Sequence, residues 1–159
     1  MGQFGSAATP SPWVVQNGVD FRSIREAMQP PVMQVVGFGC SGSSGVPLLS
    51  STLLPYVAGS ASLQLANLPL NVGVFALSLA PGLLVGLGVL GAPGCSLFQS
   101  PDVLSAVIGS SGVASYSLSV PYLPSLVGLQ IRAQGVSLDP AANALGLTTS
   151  NGLVATIGW

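Results

Sequence analysis

The residues of this chain that could perform chemistry are few. Its 159 residues include two cysteines, four carboxylates and three arginines, but no histidine and no lysine. Acid–base or nucleophilic catalysis needs a base close to the reacting group, and here only the carboxylates could act as one. Asp102 and Asp139 each lie next to a proline, where aspartate commonly forms turns. We therefore predict that both are turn residues, that no residue is catalytic and that the protein is not an enzyme.

The stretch from Gly37 to Leu48, with the sequence GFGCSGSSGVPL, is similar to a phosphate-binding loop only in its glycines. It has no lysine of the kind that contacts phosphates, and no clear helix follows it. We interpret it as a tight connection. Without histidine or a Cys-x-x-Cys pair, the remaining candidate is Asp139 with nearby carbonyl groups, which would form only a weak calcium site. The sequence therefore predicts no metal and no cofactor.

The two cysteines, Cys40 and Cys95, each follow a glycine, which places them in turns or at strand ends. They could remain two buried thiols, or they could form a disulfide that closes a loop of about 55 residues and stabilises the fold by roughly 4 kcal/mol. We predict the disulfide, which favours an oxidising compartment and an extracellular or cell-surface location. Met1–Pro12 lacks the basic and apolar regions of a signal peptide, so either a leader before Met1 was already removed or the chain stays inside the cell. We expect the first.

Charge is unusually scarce. Only 4% of the residues are charged, compared with roughly 25% in ordinary soluble domains. A net charge of −1 provides no electrostatic attraction to nucleic acid. A surface with so little charge favours association, either with a membrane or with other proteins. The longest apolar run, from Leu68 to Phe98, contains three prolines and six glycines and is a poor helix. We therefore predict no membrane span and expect the surface to be buried in an assembly.

Short apolar stretches with alternating polar residues follow one another from Val32 to Trp159, separated by glycine, proline, serine and asparagine. Eight or nine strands at such short spacing, without long segments of helical period, predict an all-β fold. We predict an antiparallel β-sandwich, jelly-roll-like, over residues 32–159, with an extended N-terminal arm over residues 1–31.

The clearest alternation lies in Leu129–Gln134, whose odd-numbered residues are apolar and share one face. Gly135 then shifts the phase, as a bulge would, so Val136 and Leu138 are expected to point inward. The segment Leu83–Leu90 fits either a strand or a helical turn.

An extended pattern also occurs within the arm. From Trp13 to Arg22 the odd-numbered residues form one large apolar face, and most even-numbered residues are polar, charged or glycine. The members of this face that we predict to act in assembly are Trp13, Val15, Val19 and Phe21. Such a strand could fold back onto its own domain, or it could pair with another copy of the chain.

Four stretches carry a resemblance over residues 37–159, namely GFGCSGSSGVPLL, LQLANLPLNVGVFALSLA, LGAPGCSLFQSPD and the final PSLVGLQIRAQGVSLDPAANALGLTTSNGLVATIG. Their features are a G-C-x-G-S-x-G-x-P opening, a second cysteine after a glycine-rich run and a last strand of the S-N-G-L type. The set resembles a module that occurs repeatedly at the C-terminus of secreted bacterial proteins. The resemblance implies a secreted, disulfide-bearing β-domain without a known catalytic role.

Two functions fit these observations. We expect a structural subunit of an extracellular homopolymeric filament, in which the arm pairs with the β-domain of a neighbouring copy, by analogy with donor-strand pilus subunits. The alternative is a secreted cell-surface binding module for carbohydrate or adhesion, with the arm folded back and Tyr122 as the most suitable aromatic. An O-linked glycan could be attached at the serine-rich turns or at Thr148, Thr149 and Ser150.

Overall fold

The computed structural model describes residues 29–80 and 82–159 of the chain. This part forms ten β-strands, and two short 3-10 turns lie at Gly88–Leu90 and Pro124–Leu126. The strands are β1 Val32–Val36, β2 Leu48–Leu53, β3 Ser60–Ala66, β4 Val72–Ser78, β5 Val85–Gly86, β6 Ser96–Leu97, β7 Val103–Ile108, β8 Val113–Ser119, β9 Gln130–Leu138 and β10 Leu147–Thr156. None of the described residues belongs to a helix long and apolar enough to cross a membrane.

The strands form two main sheets, and every strand pair within them is antiparallel. One sheet has the order β1-β10-β9-β4-β7, the other has the order β2-β3-β8, and β5 and β6 form a small third ribbon. β3 pairs with β8 in one sheet, and β4 pairs with β7 in the other. The chain therefore crosses from one sheet to the other between β3 and β4 and crosses back between β7 and β8. The predicted all-β antiparallel sandwich is therefore confirmed, with five strands packed against three.

The core lies between the two sheets and follows the alternation of the strands. In β3, Ala61, Leu63 and Leu65 are buried and the residues between them are half-buried, as a strand with one covered face requires. Phe75 and Leu153 oppose them from the five-stranded sheet. A solvent-free core of this kind supplies most of the driving force for folding.

The outer face of the five-stranded sheet is covered too, by the segment between β4 and β7. Gln134 of β9 is fully buried, and its side chain accepts a hydrogen bond from the Phe98 amide at 2.9 Å. The same side chain donates to the carbonyl oxygens of Ser96 and Ser150, both at 2.9 Å. Gln99 donates in the same way to the Ala76 carbonyl at 2.6 Å. These two glutamines fasten the segment to the sheet with hydrogen bonds shielded from water.

The predicted phase shift at Gly135 is wrong. The odd-numbered residues Ala133, Gly135 and Ser137 are all buried, so β9 keeps one core-facing side throughout, while Leu138 is exposed. The two sheets approach each other closely at Gly135, because a Cβ atom there would collide with the side chain of Leu65. The expected inward positions of Val136 and Leu138 are therefore corrected to the opposite face.

The bulge is real but lies in the neighbouring strand. The register between β9 and β10 shifts between Thr149 and Gly152, so Ser150 and Asn151 together oppose Gly135. The Asn151 side chain accepts a hydrogen bond from the Leu49 amide and donates one to the Leu49 carbonyl oxygen, each at 2.9 Å. The extra residue of the bulge thus links β10 of one sheet to β2 of the other.

Candidate functional site

The predicted disulfide is present and joins two layers of the fold. Cys40 lies just after β1, Cys95 lies in the segment that covers the outer face, and their Cα atoms are 4.9 Å apart. Both are buried, and Leu87 and Ala92 pack around them. Such a bond is typical of proteins in oxidising compartments, in agreement with that part of the predicted location.

The glycine-rich loop after β1 binds an anion, and that anion is the chain's own Asp139. The Ser43 amide donates to Oδ2 at 2.6 Å and the Ser43 hydroxyl donates to Oδ1 at 2.8 Å. Gly42 has to be glycine here, because a Cβ atom would lie 2.7 Å from the same Oδ2. The predicted turn at Asp139 therefore also fastens two loops to each other, and the loop's likeness to a phosphate loop is explained by an internal carboxylate.

This environment changes the acidity of Asp139. Burial would raise the pKa of its carboxyl group, but hydrogen bonds from Ser43, Ala141 and Ala142 outweigh burial and hold the pKa below its ordinary value of 3.8. With a lower pKa in the folded state, the unfolded state binds more protons at acidic pH. The contribution of Asp139 to stability is therefore complete above pH 3.8 and is lost as the pH falls from there through the folded pKa.

We accordingly expect the free energy of unfolding to fall at acidic pH in a manner that depends on Asp139. Chemical denaturation from about pH 6 to about pH 2 should show a slope that the Asp139→Asn variant loses in large part, since its amide does not titrate. Asp102→Asn is the control, because that carboxylate is exposed. An unchanged slope in Asp139→Asn would contradict the role of these hydrogen bonds.

The two aspartates that lie next to prolines, Asp102 and Asp139, are far apart in the fold. Asp102 accepts a hydrogen bond from the Ser78 hydroxyl at 2.6 Å, and Ser78 pairs with Arg132 near the start of β9. Asp139 follows the other end of β9. Since an extended residue spans about 3.3 Å, roughly 20 Å separates the two positions. Within residues 29–80 and 82–159, no three acidic, cysteine or histidine residues cluster in a way that could hold a metal ion.

An apolar cleft lies where β7 and β8 diverge. A tight turn joins these strands, but they belong to different sheets, so their far ends lie apart. A cavity of about 270 Å³ opens between Leu77 and Val103 of one sheet and Leu118 of the other. A second cavity of about 260 Å³ adjoins it, since Leu118 and Ile131 line both. We call the two together the β7–β8 cleft.

The cleft belongs to a surface with almost no charge. Of the three charged residues in the described part, Asp139 is buried and Arg132 is half-buried, which leaves Asp102 as the exposed one. The outer sheet edges carry exposed apolar side chains instead, such as Val35 on β1 and Ile108 on β7, which is 85% exposed. Edge strands usually carry lysine or other charges that block pairing with further strands. Those of this domain have none.

Aromatic residues meet beside the cleft. Tyr122 is 70% exposed, and its ring lies edge-on to that of Trp159, with centroids 6.3 Å apart. Sequence reasoning selected Tyr122 from its flanking prolines but did not pair it with Trp159, because the two are far apart in the chain. The pair is anchored by the Trp159 amide, which donates to the Gln29 carbonyl oxygen at 2.9 Å.

The residues predicted for assembly lie outside the described part of the chain, whereas those predicted for glycosylation lie within it. Trp13, Val15, Val19 and Phe21 lie outside the described residues. Thr148, Thr149 and Ser150 are fully buried in β10, so in the folded domain their hydroxyl groups are closed to glycosylation. The exposed Ser41 and Ser44 of the glycine-rich loop remain open to an O-linked glycan.

Comparisons with protein-family models, with curated proteins and with solved structures gave no match for this chain. The candidate site therefore rests on geometry, namely the β7–β8 cleft, the aromatic pair beside it and the uncharged sheet edges.

Proposed function

We propose that this protein is a structural subunit of an extracellular filament made of many copies of itself. Each copy contributes its N-terminal arm as a strand that pairs with the β-domain of a neighbour. The arm is joined head to tail with the next subunit, so the contact does not close on itself and generates a polymer. In this role the protein is not an enzyme and needs no cofactor, and the disulfide suits an assembly outside the cell.

The observation that carries the proposal is that the free sheet edges carry no charge, and that those at β1, β2 and β7 expose apolar side chains. Strand addition stabilises a complex through main-chain hydrogen bonds, and pockets for alternate side chains add specificity. The described domain provides both, with unpaired edges at β1, β7, β2 and β8 and an apolar cleft beside β8. The period of two in the arm matches that kind of acceptor.

Imaging of the purified full-length chain tests this proposal directly. Negative-stain micrographs should show filaments of uniform width, and native mass spectrometry of the early stages should show a ladder of whole-number multiples of the subunit. A monodisperse particle across a range of concentrations would reject the filament and favour the second function below.

The aromatic pair supports one alternative, a carbohydrate-binding module whose arm folds back on its own domain. Exposed rings beside polar groups are the usual platform for sugar rings. If this function is correct, Tyr122→Ala should weaken binding to a polysaccharide by roughly 5- to 150-fold, taking the 1–3 kcal/mol of a lost base–aromatic stacking contact as the measure. Phe38→Ala is the matched control, since it removes an aromatic ring that is 90% exposed elsewhere. Equal binding by all three proteins in affinity electrophoresis would reject this alternative.

A further inference from the structure

We propose that the β7–β8 cleft, with the free edge of β8, is the acceptor for the segment Trp13–Phe21 of a neighbouring copy. The inference rests on the proposed function and assigns the place where the arm of one subunit enters the next. The segment would add a fourth strand to the three-stranded sheet and bring its apolar face over the exposed end of the core.

The three-stranded sheet is narrower than the five-stranded sheet that it faces, which leaves room for a further strand beside β8. Five strands face three, and within residues 29–80 and 82–159 β8 pairs only with β3, so no described strand lies on its second edge. Val103 faces the core side of β7, because its partner Leu77 belongs to the core, yet Val103 is 54% exposed. A core-facing side chain with this much exposure lacks a neighbour on the opposite sheet. A strand next to β8 would supply that neighbour.

The chemistry of the cleft matches the chosen occupant. Leu77, Val103, Leu118 and Ile131 line it, and Asp102, at its border, is held by the Ser78 hydroxyl. An apolar acceptor without a free cation suits an uncharged apolar face better than an acidic or phosphorylated ligand. The odd-numbered residues from 13 to 21 include two large aromatic and two β-branched side chains, which are the types that fit strand positions.

The described part of the chain begins at this end of the domain. Gln29, the first described residue, receives a hydrogen bond from the Trp159 amide, and its side-chain oxygen lies 3.3 Å from the Cβ position of Gly128. The neighbours of Gly128, namely Leu126 and Leu129, line the cleft. Gln29 lies eight residues after Phe21, so this stretch can extend about 26 Å away from its own domain toward the cleft of an adjacent one.

Crosslinking in the full chain tests the acceptor. A cysteine at Gln16, on the polar side of the arm, is combined with a cysteine at Ser117, on the exposed side of β8, and treated with a short bismaleimide. The control combines the cysteine at Gln16 with one at Thr52, which is exposed on β2 at the opposite edge of the same sheet. We expect a ladder of linked subunits on a denaturing gel for Ser117→Cys and loss of that ladder for Thr52→Cys.

The possible results separate the acceptor from the filament. A crosslink to Ser117→Cys that runs at the mass of a single chain would show that the arm occupies the cleft of its own domain. That result would overturn donation between copies, and with it the proposed function. A ladder of linked subunits with Thr52→Cys instead, or filaments without any crosslink, would overturn the assignment of the cleft as the acceptor. Either result would leave the proposed filament unaffected. Absence of both linkage and filaments would overturn both.

A matched pair of substitutions examines the cleft itself. Val103→Glu places a charge at the cleft, whereas Leu104→Glu places it on the opposite face of the same strand at a similar exposure of 61%. We expect loss of filaments for Val103→Glu and normal filaments for Leu104→Glu, with equal far-UV spectra for both domains. Normal assembly of Val103→Glu, or equal loss in both variants, would overturn the assignment.

Discussion

Deletion of residues 1–22 is expected to abolish filament formation and to leave the β-domain folded. The deletion removes the four apolar side chains that we predict to act in assembly, whose burial in a neighbour would contribute roughly 6–10 kcal/mol before the cost of ordering the segment. The described strands and the disulfide all lie after the deleted residues. Negative-stain imaging measures the loss of filaments, and the far-UV spectrum with a thermal melt measures the integrity of the domain.

A shorter deletion provides the control for this experiment. Removal of residues 1–12 takes away the proline-containing lead-in and leaves the alternating segment from Trp13 complete. This variant should polymerise like the full chain. If the chain without residues 1–22 assembles at the same concentration and into the same filaments, the arm does not connect the subunits.

Replacement of both cysteines is expected to cause a large loss of stability. The Cys40→Ala/Cys95→Ala variant loses a crosslink of sequence separation 55, for which the chain-entropy relation gives about 4 kcal/mol in the free energy of unfolding. Since many domains have only 5–15 kcal/mol in total, the transition in urea should move to a much lower midpoint. Equilibrium denaturation of the variant and the oxidised chain measures the difference.

Reduction of the native chain with dithiothreitol under denaturing conditions serves as the control, because it breaks the same bond without changing a side chain. The two treatments should lower the midpoint by similar amounts. A midpoint unchanged in both would show that the covalent link adds little to the contacts among Leu87, Ala92 and the two cysteines.

Much of the fold could be predicted from local alternation, because the sandwich leaves one face of each strand in the core. Apolar and polar residues alternate in Ser62–Leu65 and Val74–Leu79, and these stretches match β3 and β4 to within a few residues. The apolar stretch Val32–Phe38 contains β1. The segment Leu83–Leu90, whose sequence fits either a strand or a helical turn, contains both the short strand β5 and a 3-10 turn.

The errors arose where a second layer or a distant residue determines the structure. Gly135 suggested a bulge in β9, but the extra residue is in β10, where Asn151 finds the Leu49 backbone across the core. Gln134 looked like an outward polar residue and is buried, because the segment after β4 folds over it. Neither partner is close in the chain, so period and spacing contain no signal for them.

Only part of the candidate site could be predicted, because most of its contacts also join residues that are distant in the chain. The cysteine pair could be chosen because the chain offers only two cysteines. The contact of Ser43 with Asp139, the pairing of Tyr122 with Trp159 and the β7–β8 cleft all depend on chain crossings between sheets, which a single sequence does not specify.

The disulfide also has a mechanical consequence. When the oxidised chain is pulled at Gln29 and at Trp159, the 55-residue span between Cys40 and Cys95 cannot lengthen, because the covalent bond bypasses it. At about 3.4 Å per extended residue, this removes roughly 190 Å from the length to which the chain can unravel. A load that enters through the N-terminal side can peel β1 from β10 and then meets a covalent stop at Cys40.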